Sequence, residues 1–145
     1  MATASEVEMV VRSVALWARS QPDILAVVLV GSWARGAASS KSDIDLIFLS
    51  ENCSSRRSSV RWLKQFIRKN HLPNLVKFID QTYGVAWSRR TKLRGGLEIE
   101  FTFANQSWAS TSPIDSGTRR VVSGGFRPLY DPFNLLQQLQ SAVIA

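Results

Sequence analysis

One cysteine and one histidine are all that this 145-residue sequence contains of thiol and imidazole metal ligands. Cys53 has no second thiol for an internal disulfide and no Cys or His at zinc-ligand spacing, which excludes a disulfide-stapled fold and a cysteine-rich zinc site. His71 closes a helical pattern, where an imidazole serves the last carbonyls better than it serves as a catalytic base. No apolar run approaches the roughly 20 residues needed to span a bilayer. The opening Met1-Ala2-Thr3-Ala4-Ser5-Glu6 lacks the basic and apolar regions of a secretory signal, so no membrane association and a cytoplasmic location are expected. Acids are scarce too, at 11 against 18 Lys and Arg, a net charge of +7. With 45% hydrophobic and 20% charged residues, no internal repeat and no long linker, residues 1–145 read as a single globular domain.

Two of the few acids sit in the most informative segment. Ile24-Leu25-Ala26-Val27-Val28-Leu29-Val30 is an unbroken apolar run of strand length, ended by the small pair Gly31-Ser32. Glycine lets a backbone approach a phosphate, the Ser32 hydroxyl adds a rotatable donor, and Arg35 can pair with phosphate oxygens or brace its own loop. Gly31 and Gly36 have the first spacing of a Walker A loop, but Ala37 stands where that loop requires lysine, so a P-loop is rejected. Downstream, Ser42-Asp43-Ile44-Asp45-Leu46 places two carboxylates at i and i+2 of a strand-like segment, on one face and about 6 to 7 Å apart. Such a pair repels itself unless a cation intervenes. Together with an anion cradle it is the arrangement for a nucleoside triphosphate on Mg2+, with Mn2+ as an alternative, since Mg2+ takes one or two carboxylates plus the substrate's phosphates.

A two-metal mechanism is expected, with two Mg2+ ions bridged by Asp43 and Asp45, and it calls for a third acid that helps hold the ion activating the acceptor hydroxyl. In Leu97-Glu98-Ile99-Glu100-Phe101-Thr102-Phe103 the alternation is clean, with Glu98, Glu100 and Thr102 on one side and the apolar residues on the other. Either glutamate is placed to serve; Glu100 is the candidate taken forward.

The combination of hydrophobic strand, Gly31-Ser32, Ala34-Arg35-Gly36, Asp43-Ile44-Asp45 and a later strand acid resembles the DNA polymerase β-like nucleotidyltransferase superfamily, in its minimal nucleotidyltransferase branch. The resemblance runs from about Val27 to Leu49 and on to Phe103. It implies an α+β single-domain polymerase β-like nucleotidyltransferase fold, a mixed twisted sheet with helices packed on one face. It also implies transfer of a nucleotidyl group, usually adenylyl, from a triphosphate such as ATP to a hydroxyl on a small molecule, protein or RNA, with release of pyrophosphate. Gly31 and Ser32 match the phosphate-binding pair and Asp43 and Asp45 the metal-binding acids. Glu100 matches the third acid by position only, where an aspartate is usual. Members of this branch often act with a small helical HEPN-type protein as the antitoxin of a toxin–antitoxin pair, which makes a hetero- or homo-oligomer an expectation. The alternative is a module that binds nucleotide or partner without turnover.

The remaining pattern is coarser. Ser5-Glu6-Val7-Glu8 reads as a capping box opening a helix with Val7, Val10, Val11, Val14 and Trp17 at helical spacing. A second helix is expected from Ser58 to Asn70, strands over Leu75–Ile79, Tyr83–Lys92 and Leu97–Phe103 with a turn at Arg94-Gly95-Gly96, a polar loop over Asn105–Gly117, and a closing helix begun by Asp131-Pro132. Arg57, Arg61, Lys64 and Arg68 would form a basic stripe. Arg89, Arg90, Lys92 and Arg94 cluster in a hairpin, with Arg119 and Arg120 further on; such charge either draws in a polyanion or is simply solvated. Trp62, Trp87 and Trp108 suit base stacking or packing. Lys41 precedes the acids as a solvated loop residue or an aid to charge neutralisation.

Overall fold

The computed structural model describes residues 2–144. In chain order these form α1 (Ala4–Arg19), β1 (Ile24–Val30), α2 (Ser32–Arg35), β2 (Ile44–Ser50), α3 (Cys53–Ser58), α4 (Arg61–Lys69), β3 (Leu75–Tyr83), β4 (Ala86–Leu93), β5 (Glu98–Ala104), a 3-10 turn (Gln106–Ala109), α5 (Ser116–Ser123), β6 (Phe126–Tyr130) and α6 (Leu135–Ile144). The strands make one mixed sheet in the order β3-β4-β5-β2-β1-β6. Only β2 and β5 run parallel; every other neighbouring pair is antiparallel. No helix among the described residues is long and apolar enough to cross a membrane.

Strand composition decides which face is covered. β1 and β2 are apolar on both sides, and all their residues but Leu25 and Asp45 are buried. On one face Val27, Leu29, Leu46, Phe48, Phe101 and Phe103 pack with α1 and α4 through Val10, Val14, Trp17, Trp62, Leu63 and Phe66. The centre of this layer is aromatic: Phe48 stacks on Phe103 at 4.9 Å and meets Trp17 edge-on at 5.8 Å, and Trp87 stacks on Phe103 at 5.0 Å. Such ring pairs add roughly 0.5–1.5 kcal/mol each beyond the area they bury. This is the helical layer the sequence implied. A second, smaller layer lies on the opposite face, where Ala26, Val28, Ile47 and Leu49 pack with Val122 of α5 and Leu136 and Leu139 of α6. It covers β1 and β2 and leaves the same face of β5 and β4 open.

Several local readings shift. The capping box lies two residues earlier than expected: Thr3 accepts from the Glu6 amide, and the Glu6 carboxylate accepts from the Thr3 amide. The second helix begins at Arg61 and not at Ser58, and a separate helix, α3, precedes it, so Arg57 falls on a different helix from Arg61, Lys64 and Arg68 and the continuous basic stripe is not formed. The turn between β3 and β4 is at Gly84-Val85, with Tyr83 paired to Ala86, so β3 runs on past Ile79. The polar stretch expected as loop contains the 3-10 turn and the start of α5, whose N-cap Asp115 accepts from the Thr118 amide. Asp131 does serve the closing helix, accepting from the amides of Leu136 and Gln137.

The basic hairpin divides by strand parity. Arg89 points into the aromatic layer, 1% exposed, paired with Asp80 at 2.8 Å and donating to the carbonyls of Ser59 and Arg57. Its guanidinium lies over Trp62, Phe78 and Trp87. It is therefore a core residue and not part of any polyanion-attracting surface, whereas Arg90, Lys92 and Arg94 are exposed. Trp62 and Trp87 are core residues as well, and Trp108 alone of the three tryptophans singled out from the sequence faces the open side of the sheet.

Candidate active site

Sheet register assembles the site. Asp45 is paired with Val30 on one side and with Glu100 on the other, and Glu100 is paired in turn with Arg90. A single row across β1, β2, β5 and β4 thus carries two carboxylates and a guanidinium side by side on the open face. Asp43 lies two residues before Asp45 and so on the same side. The outcome is a cluster in which one carboxylate oxygen each from Asp43, Asp45 and Glu100 lie within 4.8 Å of one another. Glu98, the other candidate, is half-buried on the same side but stands outside the cluster.

The electrostatics follow from crowding. Burial of Asp45, reinforced by the negative charges of Asp43 and Glu100, pushes its pKa up to about 7, against a smaller opposing pull from Arg90. Arg90 donates from Nε and Nη2 to Glu100 Oε2 at 3.2 and 3.1 Å, and its Nε lies 3.9 Å from Asp43 Oδ2. The hydrogen bond to Glu100 raises the Arg90 pKa further above its ordinary value. Three hard oxygen donors from two adjacent strands, partly desolvated and mutually repelling, suit a divalent cation of the Mg2+ type.

The bend beside the acids is built from glycine for a steric reason. Gly31 has φ +75°, and a Cβ there would lie 2.5 Å from Asp45 Oδ2. Its carbonyl accepts from the amides of Ala34 and Arg35, which winds the next residues into α2. Gly125, at φ +124°, packs against this turn so closely that a Cβ would meet the Gly31 carbonyl at 2.8 Å. Arg35 donates from Nη1 to the Gly124 carbonyl at 2.7 Å, the bracing role, while still lining the cavity beside the acids. Ser32 is half-buried at the start of α2 and is not among the cavity-lining residues, and Lys41 is exposed in the loop before β2.

The cavity has a volume of about 980 Å³. Gly31, Arg35, Asp43, Asp45, Arg90 and Glu100 lie at one end. The floor continues over Ile47, Thr102 and Ser88, the two hydroxyls 2.7 Å apart, and the walls are Trp108, Thr118 and Val121 opposite the Tyr83-Gly84-Val85 turn. The wall from the 3-10 turn and α5 was missed in the sequence because its Ser, Thr and Gly content mimics a loop. The Asp115-to-Thr118 cap was the one local signal that could have revealed it.

The sequence matches the nucleotidyltransferase domain family over residues 14–99, more than half of its length. The chain belongs to that family. The match takes in the Gly31 bend, Asp43 and Asp45 and ends at Ile99, one residue short of Glu100. No curated protein matches the sequence. Among solved structures, an aminoglycoside 6-adenyltransferase from Bacillus subtilis is similar with a TM-score of 0.54 and 14% identity over 77% of this chain. The chain spans 38% of that protein's length, and the likeness is one of fold. A toxin–antitoxin complex with AMP-PNP has a TM-score of 0.48 and 10% identity over 92% of this chain and 83% of that one. A CCA-adding enzyme in an apo form has a TM-score of 0.45 and 14% identity over 96% of this chain and 32% of that one. As a nucleotidyltransferase-family domain, the chain presents its carboxylates on the sheet face opposite α1 and α4, where α5 and α6 leave β5 and β4 open.

Proposed function

We propose that this chain transfers a nucleotidyl group, adenylyl from ATP in the first instance, to a hydroxyl acceptor with release of pyrophosphate, using a divalent cation held by Asp43, Asp45 and Glu100. The observation that carries the reading is the convergence of these three carboxylates within 4.8 Å, beside a glycine bend, in a nucleotidyltransferase-family domain. The donor set fits Mg2+ or Mn2+, since it is all hard oxygen and the raised pKa of half-buried Asp45 reflects negative charge that a cation would relieve. When bound, such a cation supplies neutralisation of the triphosphate charge and acidification of the acceptor hydroxyl.

The chain's own residues do the rest. Gly31 keeps the phosphate approach free of a side chain, with the Ser32 hydroxyl in reserve at the first turn of α2. Arg35 holds that turn against Gly124 and fixes where the phosphates can lie. Trp108, Thr118 and Val121 line the cavity beyond the acids and offer surface against which a nucleotide or acceptor can pack. The acceptor oxygen forms its bond to the α-phosphorus as the bond from that phosphorus to the α,β-bridging oxygen breaks. Pyrophosphate leaves with the electron pair and the hydroxyl proton passes to a carboxylate of the cluster, a role we assign to Glu100. The test is transfer of label from α-labelled ATP to components of a cell extract. We expect labelled acceptor with the parent and Mg2+, and a loss of at least a hundred-fold in Asp43→Ala. Equal transfer by the two proteins in excess Mg2+ would reject the assignment.

A second reading concerns partnership. Val76, Ile79, Tyr83 and Val85 are large, exposed hydrophobics that all lie on β3 and its turn, at the free edge of the sheet, and Tyr83 and Val85 also line the cavity. Such an edge favours a protein partner, either a small helical subunit or a second copy, that completes the cavity wall. Light scattering of the chain alone and after co-expression with its genomic neighbour checks this; a monomer in both cases argues against it.

A further inference from the structure

Arg89 and Arg90 are adjacent, and the structure treats them in opposite ways. Arg89 is anchored by both carboxylate oxygens of Asp80 and two carbonyls at 2.8–3.0 Å. Arg90 directs both of its bonds at one oxygen of Glu100, at 3.1 and 3.2 Å, and its side chain is 55% exposed. Charge-assisted N–H···O bonds are typically about 2.7–2.9 Å and arginine–carboxylate pairs are frequently bidentate, so the Arg90 contacts are longer than usual and engage one oxygen where Arg89 engages two. Arg90 neutralises the cluster without being locked to it.

The same guanidinium lines the cavity together with Gly31 and Arg35. We propose that Arg90 is an exchangeable counter-ion: it screens Asp43 and Glu100 before the cation arrives, then turns to the polyphosphate, so that cation and polyphosphate enter as a coupled pair. This rests on the metal-dependent reading above. A cation arriving alone has to displace the guanidinium from Glu100, and a polyphosphate arriving alone meets three carboxylates. Each supplies the partner that the other displaces, which is a positive coupling between two ligands through one side chain. The planar, five-donor guanidinium suits both duties, since carboxylate and phosphate oxygens present similar geometry.

The experiment measures Mn2+ binding to the full chain by electron paramagnetic resonance, with and without inorganic tripolyphosphate, so that no transfer reaction is needed. In Arg90→Met, Mn2+ alone is expected to bind about ten-fold tighter than in the parent, and the enhancement of Mn2+ binding by tripolyphosphate to shrink about ten-fold. Arg90→Gln is a second neutral variant with the same expected outcome, and Arg90→Lys, which keeps the charge, should recover part of the coupling. A simple through-space charge would tighten Mn2+ in Arg90→Met and leave the tripolyphosphate enhancement unchanged, which would overturn the exchange. Unchanged or weaker Mn2+ binding in both neutral variants would overturn it as well. A parent that binds no Mn2+ at all would sink the metal-dependent reading along with it, whereas a parent that binds Mn2+ beside unresponsive variants would sink the Arg90 proposal only.

Discussion

Gly31 and Asp45 are packed so tightly that a methyl group on the first would sit 2.5 Å from a carboxylate oxygen of the second. The glycine of the bend after β1 and the carboxylate at the centre of the acidic cluster are thus one steric unit. Gly31→Ala is expected to lose on two counts, since an L side chain is strained at φ +75° and ψ −156° by about 1–3 kcal/mol and the displaced Asp45 carboxylate leaves the cluster. Nucleotidyl transfer should fall at least a hundred-fold and the thermal midpoint by several degrees. Activity close to the parent's would show that Asp45 does not need its present position.

The raised pKa of Asp45 makes the metal-free protein pH-sensitive in a direction opposite to that of most carboxylates. Between the ordinary value of 3.8 and the folded value of about 7, the native state binds more protons than the unfolded state. Stability from this group is therefore greatest at low pH, falls as pH rises through that window, and levels off above it. Asp45→Asn removes the dependence. With chelator present, urea unfolding should find the variant more stable than the parent by on the order of 1–3 kcal/mol at pH 8, and the difference should narrow toward pH 4. Added Mg2+ should then stabilise the parent and leave the variant unmoved. A gap that widens toward pH 4 would contradict the assigned shift.

Asp80→Asn tests the core on the opposite face. It removes the negative partner of the fully buried Arg89, and a charge left alone among Trp62, Phe78 and Trp87 is costly. The expected loss is about 2–4 kcal/mol in urea unfolding, with affinity for Mn2+ and tripolyphosphate preserved, because the residue lies across the sheet from the acids.

That ion pair also marks the limit of what the sequence made legible. Asp43, Asp45 and the strand around Glu100 were readable because period-two alternation and the Gly31 bend are local signals, and β1 because an apolar run of strand length has few other uses. Arg89 and Arg90 were read as one basic cluster, although successive strand residues point to opposite faces. That rule alone separates a core arginine from a cavity arginine, but it does not say which is which until Asp80 and Glu100 are seen as their cross-strand partners. The partnership of Arg90 with the cluster depends on β5 lying between β2 and β4, a long-range order with no local trace. The α5 wall was hidden by composition, since Ser116-Gly117-Thr118 is poor helix-forming sequence held by the Asp115 cap and by Val122 in the core.

Arg35 and Gly125 make the last case, because together they fix the turn that follows β1 beside the acidic cluster. Arg35 ties the end of α2 to the Gly124 carbonyl at 2.7 Å, and Gly125 lets β6 pass within van der Waals reach of the Gly31 carbonyl. In Arg35→Met the exposed hydrogen bond is lost at a cost of about 1 kcal/mol, and the turn opens more often. Hydrogen exchange should quicken at residues 31–37 and 124–126 and stay unchanged in α1 and α4. Gly125→Ala forces the same turn apart by overlap, so its exchange pattern should match while its loss of stability is larger. If Arg35 instead served only as a phosphate ligand, Arg35→Met would weaken tripolyphosphate binding with the exchange pattern of the free protein unaltered, and the two variants would have nothing in common.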